Sequence, residues 1–129
     1  MKKLFIQAIF LFILMFSFNS YAEWTKIATN SVGDTYYIDF ERINKIDGYI
    51  YIWQLDNYLE PISSSEGIFY SSLMLKEVDC KLSRWKRLYI NFYTKLWSEG
   101  NSIEGEPDSK WLYAIPNSTS EGILNSVCK

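Results

Sequence analysis

Two patterns of apolar residues divide the chain. From Leu4 to Phe18 the sequence is almost continuously apolar, interrupted only by Gln7 and Ser17. A spanning helix needs about 20 such residues, so this run is short for an anchor. Lys2 and Lys3 precede it, and Ser20-Tyr21-Ala22 follows with small residues at both recognition positions of a cleavage site. A charged start, an apolar centre and a small-residue end make a secretory signal peptide. The expectation is cleavage after Ala22, with residues 1–22 a signal peptide and residues 23–129 the exported domain. No cysteine lies near that junction to carry a lipid, so the cut protein is expected to keep no stable membrane anchor.

Beyond Ala22 the pattern becomes that of short strands. Glu23 to Thr29 reads as a first strand, Asn30 to Asp34 as a turn, and Thr35 to Phe40 as a second strand rich in β-formers. Asp39 is placed to cap a short turn. Asp47-Gly48 is the strongest hairpin signal; it joins a strand near Arg42–Lys45 to a long one, Tyr49 to Tyr58. The first half of that long strand is apolar at both parities, which predicts a central strand covered on both faces. Pro61 and Ser63-Ser64-Ser65 predict an exposed loop. Phe69 to Val78 and Arg84 to Thr94 read as an antiparallel pair. Lys95 to Lys110 is polar and irregular, and Trp111 to Ile115 is a last strand stopped by Pro116. The segment after it changes period. Ser118 and Glu121 have capping-box spacing, and Ile123, Leu124, Val127 and Cys128 share one helical face.

Composition narrows the function. The 129 residues carry a net charge of −2, 18% aromatic residues and no histidine. Such aromatic content is the opposite of a disordered composition. Without histidine the commonest general base and metal ligand are both absent, which argues against catalysis and against a cofactor. Loss of the signal peptide removes Lys2 and Lys3 and no acid, moving the charge from −2 to −4. An exported acidic domain is a poor partner for nucleic acid.

Cys80 and Cys128 are the only cysteines, and both lie in the exported part. An even pair in an oxidising compartment reads as a disulfide, here closing a loop of about 48 residues, worth roughly 4 kcal/mol by chain entropy. A helix with Cys128 on its buried face reaches a strand end at Cys80. The predicted fold is α+β: a single antiparallel sheet of about six strands with a C-terminal helix packed on it and tethered by that disulfide.

A family resemblance runs from Trp24 to Cys128. It is carried by Trp24, Tyr37-Ile38-Asp39, Trp53 with Asp56 and Tyr58, and Tyr70-Ser71. It continues through Glu77-x-Asp79-Cys80, Arg84-x-x-Arg87-Leu88, Tyr93, Trp111-x-Tyr113, Pro116-x-Ser118-x-x-Glu121 and Val127-Cys128. In their order and spacing these residues resemble the surface-adhesin E family of exported Gram-negative proteins. The resemblance implies the same sheet and tethered helix, a location in the periplasm or at the cell surface, and a role in binding host matrix or serum proteins.

Several side chains are weighed as sites. Lys81, Arg84, Lys86 and Arg87 form the one basic cluster, and strand alternation puts Arg84 and Lys86 on one face and Arg87 on the other. Arg84 and Lys86 are candidate binding residues, set against ordinary edge-strand charge. Trp97 is a third, set against a tryptophan folded onto its own domain. Asp56, Glu77 and Asp79 lack any spacing that places two carboxylates across a cleft, and are read as solvated or capping groups. Glu104-x-Glu106-x-Asp108 lacks the ligand count of a calcium loop and is read as a solvated turn. The expected function is an exported, non-enzymatic protein-binding domain whose partner is a host matrix protein or an envelope component. The alternative is a periplasmic small-ligand binder or enzyme inhibitor, which a Tyr- and Trp-lined pocket between helix and sheet would favour.

Overall fold

The computed structural model describes residues 2–16 and 23–129, with side-chain surroundings for 2–9 and 23–129. Helix α1 spans Lys2–Phe16, taking in Lys2 and Lys3 and most of the apolar run. No helix among the described residues is long and apolar enough to cross a membrane. The cleavage motif Ser20-Tyr21-Ala22 lies outside the described residues.

The domain is built on strands β1 (Trp24–Thr29), β2 (Thr35–Asp39), β3 (Asn44–Ile46), β4 (Tyr49–Ser64), β5 (Gly67–Asp79), β6 (Arg84–Tyr93), β7 (Ser102–Glu104) and β8 (Leu112–Tyr113), followed by helix α2 (Thr119–Val127). The sheet runs β1-β2-β4-β5-β6-β7, with β3 beside the first half of β4 and β8 beside the start of β6. All pairings are antiparallel. Asp47 and Gly48 both adopt positive φ, 51° and 82°, as a tight two-residue hairpin requires. The Asp39 carboxylate accepts from the Glu41 N–H at 3.1 Å and caps the short 3-10 turn at Phe40–Arg42.

Three predictions are corrected. The segment around Pro61 and Ser63-Ser64 is strand rather than loop, because β4 and β5 continue as one long hairpin turning at Ser65-Glu66. Proline is tolerated there because the β4–β5 ladder is interrupted between Asn57 and Ile62, so no ladder N–H is needed from it. And β4, although central, is covered fully on one face and only in part on the other: Ile50, Ile52, Gln54 and Asp56 lie under α2, while on the other parity Tyr51 and Trp53 stay half-buried and Leu55 and Asn57, near the turn at Leu96–Ser98, are buried. The predicted last strand shrinks to the two residues of β8.

Helix α2 begins as its sequence predicts. Ser118 Oγ accepts from the Glu121 N–H at 3.2 Å, and the Glu121 carboxylate accepts from the Asn117 N–H, which satisfies donors the first turn leaves unpaired. Its apolar side presses Ile123, Leu124 and Val127 onto Ile38, Ile50, Ile52 and Val78. Each such side chain contributes about 1.5–3 kcal/mol when fully buried. Cys128, the C-cap of α2, is bonded to Cys80 just beyond β5, with Cα atoms 5.6 Å apart.

Candidate functional site

The sequence-predicted binding residues share the face of the sheet opposite α2. At one end, the Arg84 guanidinium lies 4.4 Å and the Lys86 ammonium 4.6 Å from the Trp111 ring centre, with Tyr49 stacked on the same tryptophan at 5.7 Å. Arg84 also donates to the Asp79 carboxylate at 2.9 Å. That bond is the main reason the Asp79 carboxyl sits below its usual range. Mid-face, Trp53 and Tyr89 meet edge to face across β5 at 5.9 Å, next to half-buried Leu73 and Leu75. At the far end Trp97 packs on Tyr37 at 4.8 Å while remaining 45% exposed. Its backbone is left-handed (φ 62°) and its N–H is held by Asn57 Oδ1 at 2.9 Å.

Trp97 therefore has one ring face on its own domain and one in solvent. Arg84 and Lys86 act together, but Trp97 does not join them. Eight residues of β5 separate Asp79, opposite Arg84, from Ser71, which accepts from the Ser98 N–H next to Trp97; at strand rise this is roughly 26 Å.

The face beneath α2 holds charges the sequence reading left in solvent. Between the first turn of α2 and the sheet lies a cavity of about 150 Å³, lined by Tyr36, Gln54, Asp56, Lys76, Trp85 and Arg87 from the sheet, with Thr119 and Ser120 from the helix. Asp56 is thus not solvated: it is 7% exposed and accepts from Gln54 Nε2 at 2.7 Å. Burial raises its carboxyl to about 6, against the pull of the Lys76 charge. Lys76 is 4% exposed, its ammonium 4.0 Å from the Trp85 ring centre, and no carboxylate lies within 4 Å of it among the described residues. Burial lowers it to about 8. Asp108 is likewise not part of a solvated turn. It holds Arg87 through two side-chain bonds, 2.8 and 3.0 Å, and accepts from the Arg87 N–H. Burial pushes the Asp108 carboxyl up, but these bonds outweigh it and leave the carboxyl below its usual range. No cluster of metal-ligating side chains occurs among the described residues.

Sequence reasoning missed Gln54, Lys76 and Trp85. A signal was present: Gln54 and Asp56 follow Ile50 and Ile52 at one parity of their strand, and Lys76 stands between Met74 and Val78 in the alternation of the next. A charged residue in an alternating apolar series, next to a like interruption on the paired strand, points to a polar cavity.

A one-layer antiparallel sheet with a disulfide-tied helix on one face and half-buried aromatics on the other defines a small α+β domain. The chain belongs to the Surface-adhesin protein E family, whose model matches residues 24–129. Solved structures share the fold, three of them as follows. Haemophilus influenzae protein E aligns with TM-score 0.65 and 17% identity, over 85% of this chain and 86% of that one. A second crystal form of that protein gives 0.67 and 16%, over 85% and 90%. Protein E from non-typeable Haemophilus influenzae gives 0.62 and 17%, over 85% and 78%. No curated protein matches the sequence. Family membership makes the chain an exported, non-enzymatic protein-binding domain of the adhesin kind.

Proposed function

We propose that the face opposite α2 docks a host matrix or serum protein, and that the partner brings carboxylates to Arg84 and Lys86 and apolar side chains to the Trp53–Tyr89 pair. One observation carries this reading: the cationic pair, the half-buried aromatics and the exposed ring of Trp97 all lie on the side of the sheet opposite α2. Aromatic anchors beside arginine are the composition of interface hot spots. In the same reading the signal peptide is cut after Ala22 and the domain acts outside the cell, while an envelope component is the competing partner.

The test presents the exported protein to immobilised matrix and serum proteins and, separately, to envelope extract. Retention on a matrix or serum protein that falls about tenfold in Arg84→Glu/Lys86→Glu, or in Trp53→Ser, supports the reading. Retention only by envelope proteins, or retention indifferent to both variants, overturns it. N-terminal sequencing that starts at Glu23 checks the cleavage, and protease shaving of intact cells checks the location.

A further inference from the structure

The cavity under α2 has a polarised floor. Its acceptors stand on β4, where Gln54 Oε1 and the Asp56 carboxylate share one parity. Donation from Gln54 Nε2 to Asp56 fixes the orientation of the amide, so Oε1 is the atom left over. Gln54 is 1% exposed, and its Oε1 finds no hydrogen-bond partner among the described residues. The donors stand on the next two strands: the Lys76 ammonium on β5, and Trp85 Nε1 on β6, also buried and without a partner. Neighbouring strands are about 4.8 Å apart, which separates negative from positive by the length of a small molecule. Above this floor lie Thr119 and Ser120, whose backbone N–H groups are among those an α-helix leaves unpaired.

Unmatched buried donors and acceptors are costly and call for a partner. Nothing in the packing of the domain asks for a polar cavity at this point, since the apolar contacts of Ile123, Leu124 and Val127 already seat the helix.

We propose that this cavity binds a compact zwitterion of the α-amino acid class, with its carboxylate toward Lys76, Trp85 and the first turn of α2, and its ammonium toward Asp56 and Gln54. Both charges of such a ligand meet an opposite group already in place. A simple carboxylate would leave Asp56 and Gln54 Oε1 unmatched, and a simple amine would leave Lys76 and Trp85 so. A volume of about 150 Å³ accommodates a molecule of benzene size, which admits alanine or serine. The site is independent of the open-face interface, because its residues point to the other side of the sheet.

The test is calorimetric titration of the exported protein with L-alanine, L-serine, propionate and ethylamine near pH 7, paired with amide NMR. Expected are saturable binding of at least one amino acid, no comparable binding of propionate or ethylamine, and shifts at Thr119 and Ser120. Lys76→Met and Asp56→Asn should each weaken the amino acid by about tenfold or more, while Arg84→Ala leaves it unchanged. Should Lys76→Met fail to fold, Asp56→Asn decides alone. Absence of saturable binding by both amino acids, equal binding of propionate, or wild-type affinity in a folded variant overturns the proposal.

Discussion

On the helix side of the sheet, Ile38, Ile52 and Val78 are shut away beneath α2, whereas on the other side Trp53, Leu73 and Tyr89 keep part of their surface in water. The sides also treat charge differently. Under the helix, Asp56 and Lys76 are buried without an ion pair shorter than 4 Å among the described residues; on the open side, Arg84 and Lys86 lie over an aromatic ring at the rim. One layer of strands thus separates a face that stabilises the domain from a face free to meet a partner. Substitutions should divide the same way, stability on one side and recognition on the other.

The largest expected effect comes from the tether of the covered face. Cys80→Ser or Cys128→Ser removes a crosslink across 48 residues and should cost about 4 kcal/mol, read from denaturant midpoints. Next, Ile52→Ala beneath the helix should cost about 3 kcal/mol, and Leu73→Ala on the open side about 1 kcal/mol. Equal losses at the two positions would break the distinction between the faces.

The buried charges supply a pH test. Burial raises the Asp56 carboxyl from 3.8 to about 6, so the folded state keeps a proton that the unfolded chain has released. Stability from this group is present below the ordinary value and is lost as pH rises through about 6, on the order of 3 kcal/mol. Urea titrations of Asp56→Asn from pH 4 to 7 should lack that loss. Lys76→Met should push the Asp56 titration higher, since the Lys76 charge now holds it down; carbonyl NMR reads this directly. The smallest effect on stability belongs to the rim of the open face, where Lys86→Ala should change the melting free energy by less than about 0.5 kcal/mol while reducing partner retention.

Much of this architecture is legible along the chain because it rests on local chemistry. Asp47-Gly48 marks its hairpin, Ser118 and Glu121 mark the helix start, and the cysteine pair marks the tether. What is not legible depends on register. Between Leu75 and Lys76 of β5 the pairing with β6 passes over Leu88, an extra residue that shifts the alternation. It brings Trp85 and Arg87 to the same side as Ile90, which a strict two-residue repeat would separate. The cavity depends on that shift and on four strands meeting, and no stretch of sequence contains it. Arg84 and Lys86 were legible as a pair, but their seat on Trp111 was not, because Trp111 arrives from 25 positions beyond Lys86 through an irregular loop.

The bond between Cys80 and Cys128 also decides how the domain carries a pull. A force applied beyond Cys128 enters the end of β5 directly through sulfur, and β6, β7, β8 and α2 all lie inside the closed ring. Those elements are bypassed by the load, which passes instead into the β1–β5 part of the sheet. A partner held by β6 and Trp111 would therefore rest on the portion of the molecule that tension deforms least.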